Sequence, residues 1–247
     1  MSIAQCFLLP TCGRASVPSS DPDGLAIQLI RASNQYLTRA DGAEWVIGAG
    51  FTAAGWIYRD AAGATTYITG KYASGQREWS LNASATNLLA GRLSSDGNTA
   101  QTILTSTLSV ASTATWMFVS LRYDSAQSGA ELALNKNAET KQTAAHAGGI
   151  FNGTSAVRLG ASDFAITSSM DGRMDSWGYW SRGLSDAEIT SLYNGGAGHI
   201  YSSLTAGLKT GLIAWYDLQE TSGDRLDSTD NNLDMTPVNA PGGADGI

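Results

Sequence analysis

Short stretches in which apolar and polar residues alternate recur along most of the chain. Clusters of Gly, Ser, Asn and Asp separate them at intervals of roughly 8 to 20 residues, a spacing typical of antiparallel strands joined by turns. The alternating stretches cover residues 25–29, 51–58, 78–82, 116–123, 130–134, 157–160, 174–180 and 211–218. The pattern predicts an all-β protein, either a sandwich or a barrel.

One segment departs from this alternation and predicts a single short helix near residues 185–194. Ser185 and Glu188 have the spacing of a capping box, in which the two side chains satisfy backbone N–H groups at the helix start. Apolar residues three positions apart follow and share one helix face. Gly195 then supplies a left-handed stop.

The length of 247 residues suits one large β-sandwich with its own core. The first 23 residues are rich in Pro and Ser, so we expect an arm over residues 1–23 and a single domain over residues 24–247. Cys6 and Cys12 are the only cysteines, and both lie in the arm. We expect buried or free thiols there, with a disulfide or a bond between chains as the alternative.

The charge balance excludes some partners. Acidic residues outnumber basic ones by 22 to 15, giving a net charge of -7. Without a basic stripe we expect no nucleic acid as a partner, and without a long apolar run we expect no insertion into a membrane. The acidic composition is compatible with calcium and with neutral glycans.

The predicted last strand and helix resemble a known family. Residues 170–193 read MDGRMDSWGYWSRGLSDAEITSLY, which is similar to the closing strand and helix of laminin-G-like, concanavalin-A-like proteins. The positions of the family pattern are filled by Gly172, Met174, Asp175, Trp177, Leu184, Ser185, Glu188 and Leu192. The resemblance spans residues 25–196 and implies an antiparallel jelly-roll β-sandwich.

The opening strand of that family stands at the wrong end of this chain. Its pattern reappears as GLIAWYDLQE at residues 211–220, followed by a Ser-Gly turn and an Asn-rich loop. Residues 211–235 therefore supply the family's first strand, and the module is either circularly permuted or completed in trans by a neighbouring chain. We favour completion in cis, since jelly-roll termini lie close together; the rival implies an oligomer.

The resemblance also implies a structural calcium. Related jelly rolls hold this ion between an acid on the last strand and acids near the first strand, which here indicates Asp175 with Asp217 or Asp227. Carboxylate and carbonyl oxygens are the ligands that calcium prefers. The alternatives for these acids are an arginine partner, Arg173 or Arg225, or plain backbone capping.

Tryptophan is abundant, with seven in the chain. Four of them occupy predicted strands and are expected in the core: Trp56, Trp116, Trp177 and Trp215. Trp79 and Trp180 are the candidates for contact with a sugar or a partner protein.

Catalysis is not expected. The paired acids that a glycosidase needs on one strand are missing from the sequence, and the only two histidines, His146 and His199, lie in Gly- and Ala-rich segments without a nucleophile motif. We therefore predict a non-enzymatic protein.

Two binding functions remain. The first is a structural or adhesion component of a virion, such as a phage capsid-decoration or tail protein, with other subunits as partners at the particle surface. An N-terminus without the basic region of a signal peptide favours it. The alternative is a carbohydrate- or cell-surface-binding lectin-like module outside the cell, and a weaker alternative is a polysaccharide-degrading enzyme.

Overall fold

The computed structural model describes residues 24–247, and it contains two antiparallel sheets that face each other. The predicted jelly-roll-like β-sandwich is therefore confirmed. The predicted arm over residues 1–23, with Cys6 and Cys12, lies outside the described residues.

Sheet A contains eight of the described strands. They are β1 (Leu25–Leu29), β3 (Gly50–Arg59), β8 (Trp116–Asp124), β9 (Leu132–Lys136), β10 (Gln142–Ala144), β12 (Gly172–Trp180), β13 (Leu212–Tyr216) and β15 (Gly242–Asp245). Their order is β10-β9-β8-β3-β12-β1-β15, and β13 also pairs with β12.

Sheet B contains the other seven strands. They are β2 (Tyr36–Arg39), β4 (Thr66–Ala73), β5 (Gln76–Ala83), β6 (Leu88–Leu93), β7 (Thr102–Ser109), β11 (Val157–Leu159) and β14 (Thr236–Val238). Their order is β14-β2-β11-β4-β5-β6-β7.

The main core lies between the two sheets, because alternation sends every second side chain of each strand inward. Leu81 of β5 and Trp177 of β12 belong to this cluster and are 0% exposed. Tyr179 is buried with them, and its hydroxyl lies 2.7 Å from Thr69 Oγ1, so the buried polar group has a partner.

A second apolar cluster covers the opposite, outer face of sheet A. The predicted helix is present as α1 (Asp186–Tyr193), and the capping box between Ser185 and Glu188 is formed. Ile189 and Leu192 of α1 pack with the tryptophans of the sheet, together with the segment around α2 (Ala206–Lys209). The left-handed stop begins one residue earlier than predicted, at Asn194, whose φ is 48°.

The C-terminal segment adds strands to both sheets of its own chain. β12 pairs with β3 along one edge, and its other edge pairs first with β1 and then with β13. β14 and β15 continue the sheets beside β2 and β1. In the single chain described, β13 of residues 211–235 pairs with β12 of the same chain. Whether this segment completes its own sandwich or a neighbouring one stays a prediction. None of the helices within residues 24–247 is long and apolar enough to cross a bilayer.

Candidate functional site

The two tryptophans predicted as contact residues are both buried, so that expectation is wrong. Trp79 is 1% exposed because it points inward from β5, with its ring centroid 4.5 Å from that of Phe51. Trp180 is 0% exposed because α1 and the following segment cover its face of sheet A, and its indole N–H donates to Leu208 O at 2.6 Å. The core assignment holds for Trp56, Trp177 and Trp215, which are buried, while Trp116 is half-buried.

Asp175 is fully buried at the point where the two ends of the described chain meet. Its carboxylate accepts hydrogen bonds from the backbone N–H of Ile247 at 3.1 Å and from Ser176 Oγ at 3.2 Å. Ser176 has a φ of 47° within a bulge of β12, which turns this stretch out of the regular ladder. Asp175 therefore ties β12 to the C-terminal residues.

Asp217 and Asp227 both accept hydrogen bonds from Trp215. The indole N–H of Trp215 donates to Asp217 Oδ1 at 2.6 Å, and its backbone N–H donates to Asp227 Oδ1 at 3.1 Å. Further donors reach the other oxygens: Ser228 Oγ to Asp217 Oδ2, and Thr229 Oγ1 and Leu233 N to Asp227 Oδ2. Backbone capping, one of the alternatives considered above, is what the structure contains.

These surroundings do not fit a preformed calcium site. Every oxygen of Asp217 and Asp227 accepts a hydrogen bond from a protein donor, and Asp175 is held by different donors. Within residues 24–247 no three His, Cys, Asp or Glu side chains are grouped so that they could hold a metal. Calcium binding by these acids stays a prediction.

The outer face of sheet B carries a different set of polar and aromatic side chains. On this face, residues that are paired between neighbouring strands form one continuous row across the sheet. In order from β2 to β7 they are Thr38, Arg158, Gly70, Ser80, Arg92 and Ile103. Short residues, Gly70 and Ser80, occupy the centre and arginines stand on both sides. With strands spaced by about 4.8 Å, Arg158 and Arg92 are anchored about 14 Å apart.

Aromatic rings support the arginines of this face. The Arg158 guanidinium lies 4.6 Å from the ring centroid of Tyr36, and that of Arg92 lies 5.6 Å from Tyr67. A third, Arg77, lies 4.9 Å from the ring of Phe164. Cation–π contacts of this kind hold a guanidinium in place. We call the set Tyr36, Tyr67, Tyr72, Arg77, Arg92, Arg158 and Phe164 the arginine–aromatic face.

Several donors of this face have no hydrogen-bond partner in the described part of the chain. They are Arg158 Nε and Nη1, Arg77 Nε, Asn82 Nδ2 and Ser80 Oγ. Only one ion pair among the described residues involves the arginines of this face, that of Arg158 with Asp163. Burial raises the pKa of Tyr72, so its hydroxyl remains a donor at neutral pH. These unpartnered atoms are buried, so a ligand oxygen reaches them only if the side chains above them move. The arginines themselves are partly exposed and can donate to hydroxyl and carboxylate oxygens.

Phe164 is the only aromatic side chain of residues 24–247 that falls in the exposed class, with 47% of its surface accessible. The backbone N–H of Phe164 donates to Tyr72 O at 2.9 Å, which seats the residue at the end of β4. An exposed ring at the end of a polar face is a suitable stacking surface for a sugar.

A second concave region is less suitable. A cavity of about 350 Å³ lies beside the N-terminus of α1, between Arg122, Glu131 and Lys141. Its charges already satisfy one another, because Asp186 accepts from Arg122 at 2.8 Å and from Lys141 at 2.7 Å. We therefore take the arginine–aromatic face as the candidate site.

Comparison with known proteins agrees with this architecture. No protein with a curated description matches the sequence. A provisionally named carbohydrate-binding protein from Bacteroides ovatus is similar in structure, with a TM-score of 0.65 at 16% identity over 90% of this chain. This chain spans 60% of that protein's length.

Two further structures share the fold. The extracellular region of zebrafish Gpr126/Adgrg6 has a TM-score of 0.56 at 13% identity, covering 91% of this chain and 27% of that one. The CBM40 module of a Ruminococcus gnavus sialidase, solved with α2,3-sialyllactose, has a TM-score of 0.51 at 14% identity, covering 68% and 95%. The family model of the concanavalin A-like lectin/glucanase superfamily matches residues 31–190, more than half of the sequence. The chain therefore belongs to the laminin G-type family of the concanavalin A-like lectins and glucanases.

Proposed function

We propose that the protein binds acidic glycans, without catalysis, through the arginine–aromatic face. The observation that carries the proposal is the row in which Gly70 and Ser80 form a floor of short residues between Arg158 and Arg92. Gly70 and Ser80 are themselves buried, so a sugar would lie above this floor, between two arginines whose guanidinium groups match a carboxylate.

The physical requirements of sugar recognition are met by this set. Guanidinium groups can donate two hydrogen bonds to one carboxylate. Phe164 offers an apolar surface to the C–H face of a sugar. From β2 to β6 the face spans four strand spacings, or about 19 Å, which suits an oligosaccharide more than a single sugar.

The structural neighbours support this choice over the particle-component function expected above. Two of the three are described as carbohydrate-binding, one of them with a sialylated and therefore acidic trisaccharide. The third is an extracellular receptor region. Accordingly, we propose an extracellular or cell-surface location. A virion role, with capsid or tail subunits as partners, stays a prediction that no comparison supports.

A glycan array tests the proposal. The full chain would be applied to sialylated, uronate-containing and neutral oligosaccharides, and the salt concentration would be varied. We expect acidic glycans to bind, and binding to weaken as salt screens the arginines. Binding to neutral glycans alone would contradict the acidic specificity, and binding to none of them would contradict the proposed function.

A further inference from the structure

A buried lysine lies between two carboxylates where β4 and β5 adjoin the loop after β2. Lys71 is 0% exposed, and its Nζ is 2.8 Å from Asp41 Oδ1 and in direct contact with Glu78 Oε1. Nζ also donates to Gly153 O at 2.6 Å. Among the ion pairs of residues 24–247, Lys71 and Glu78 form the pair in which both side chains are fully buried.

The surroundings of Lys71 separate its amine from bulk water. Lys71 is paired across the strands with Trp79, whose ring packs against Phe51. Asp41 differs from the other two members of the cluster, because 27% of its side chain remains accessible. A small molecule released at Asp41 would therefore have a route to solvent.

Glu78 is placed to take a proton from Lys71, the group that also contacts Asp41. Its Oε1 contacts Lys71 Nζ and accepts from Gly153 N at 2.8 Å, while its Oε2 is buried without a hydrogen-bond partner. Burial, with a smaller effect from the charge of Asp41, raises the pKa of Glu78 to about 7. The carboxyl group can therefore both hold and release a proton near neutral pH.

We propose that Lys71 and Asp41 join in an intramolecular isopeptide bond, with Glu78 as the proton carrier. A bond forms between Lys71 Nζ and Asp41 Cγ, and a C–O bond of Asp41 breaks. Two of the three ammonium protons leave Nζ, are passed on through Glu78, and depart with the Asp41 oxygen as one molecule of water. Glu78 returns to its starting state, and no oxidant or cofactor is required.

The energetics favour this product. The fully buried Lys71 ammonium loses more of its hydration than the partly exposed Asp41 carboxylate does, and attraction to a carboxylate does not always compensate for that loss. The amide removes both charges and keeps its polar atoms beside Glu78 and Gly153. It also ties the loop after β2 to β4 across the intervening strand β11.

Intact-mass measurement of the freshly purified full chain tests the proposal. We expect a mass one water below that of the sequence, and a branched peptide in a protease digest that joins residues 41 and 71. Lys71→Met and Asp41→Ala should restore the full mass. Asp41→Asn should lose one ammonia in place of water, because the leaving group is then the amide nitrogen. Glu78→Gln should slow the reaction.

The controls distinguish this bond from other chemistry. Asp41 precedes Gly42, a pair that can also lose water by forming a succinimide, which hydroxylamine cleaves and which Lys71→Met would leave intact. The exposed pair Lys136–Glu139, 2.6 Å apart, should give no branched peptide. A full sequence mass, or a water loss that persists in Lys71→Met, would overturn the proposal. A Glu78→Gln chain that reacts as fast as the natural one would overturn the role given to Glu78.

Discussion

At the scale of single residues, Phe164 is the position at which an effect of mutation on binding is most easily distinguished from an effect on stability. Its ring is largely exposed and lies beside the Arg77 guanidinium, so it contributes little to the core. We expect Phe164→Ala to weaken binding of an acidic oligosaccharide by about 1 kcal/mol, or about fivefold in Kd, because a stacking surface is lost. The change in Kd is measured by isothermal titration calorimetry with the oligosaccharide that binds most strongly in the glycan array.

Leu226 is a matched control, since it is an apolar residue with 55% exposure that lies outside the arginine–aromatic face. Leu226→Ala should leave both Kd and Tm unchanged, and Phe164→Ala should leave Tm unchanged. Equal losses of affinity in the two variants would contradict a stacking role for Phe164.

Residue-level prediction from the sequence failed where two faces of a sheet look alike. Alternation shows that Trp79 shares a face with Leu81, but it does not show that this face is the inner one. Trp180 was misassigned for another reason: it points away from the main core and is buried by the packing of α1 and the segment around α2. Phe164 could not be recognised in the sequence as a binding residue, because its exposure depends on a loop that no periodic pattern describes.

At the scale of elements, α1 is anchored through Glu188. Arg182 donates to both carboxylate oxygens of Glu188, at 2.9 and 2.7 Å, and also to Thr210 O at 2.7 Å. The hydrogen bond from Arg182 is the largest effect that lowers the pKa of Glu188, to about 2. We expect Glu188→Gln to lower the free energy of unfolding by about 1 kcal/mol at neutral pH, because the capping box and the ion pair weaken together.

The same pair gives a pH dependence with a defined sign. The pKa of Glu188 is about 2 in the folded chain and about 4.3 when unfolded, so its stabilising effect is complete above the unfolded value and is lost as pH falls through the folded one. The difference in the free energy of unfolding between the natural chain and Glu188→Gln, measured by urea unfolding, should therefore shrink as the pH falls from about 6 towards about 2. For Glu139→Gln, in an exposed pair, we expect a small effect throughout.

Packing of β12 against β13 can be tested at Gly178. A Cβ at this position would lie 2.5 Å from the Trp180 ring and 2.7 Å from Trp215. We expect Gly178→Ala to reduce stability by about 1–3 kcal/mol, because the two rings must move. Gly48→Ala is the control, since a Cβ there meets nothing within 4 Å. Equal Tm values for the two variants would contradict the packing of β13 on β12.

Elements were more predictable than sites. Eight of the fifteen described strands and α1 follow from local alternation and capping, which act within a few residues. The alternation did not indicate the other seven strands, β2, β4, β6, β7, β10, β14 and β15. The row from Arg158 to Arg92 depends on the strand order β11-β4-β5-β6, and this order brings together residues far apart in sequence. Local patterns carry no information on that order, so the candidate site could not be predicted from them.

At the scale of the whole molecule, the chain completes both sheets with its own C-terminal strands. We therefore expect a monomer of 25.8 kDa in light scattering after size-exclusion chromatography, with and without EDTA. A stable dimer would favour exchange of residues 211–235 between chains. A change of mass or Tm on adding EDTA would instead support the calcium predicted at Asp175, Asp217 and Asp227.

The distribution of charge changes what the composition indicated. A net charge of -7 made neutral glycans the natural expectation. The fold, however, brings Arg77, Arg92 and Arg158 together on the outer face of sheet B, where Arg158 is the one of the three that is paired with an acid, Asp163, among the described residues. Ligand preference is governed by the field near the site, which net charge does not describe.

The central claim is most directly tested by comparing Arg158→Gln with Arg173→Gln in a calorimetric titration with an acidic oligosaccharide. Both arginines stack on a tyrosine, at 4.6 Å from Tyr36 and 4.7 Å from Tyr58, but they lie on opposite sheets. We predict that Arg158→Gln raises Kd by about 10- to 100-fold, as expected for a lost hydrogen bond to a charged group, while Arg173→Gln leaves it unchanged. An unchanged Kd in Arg158→Gln, or an equal loss in both variants, would contradict binding at the arginine–aromatic face.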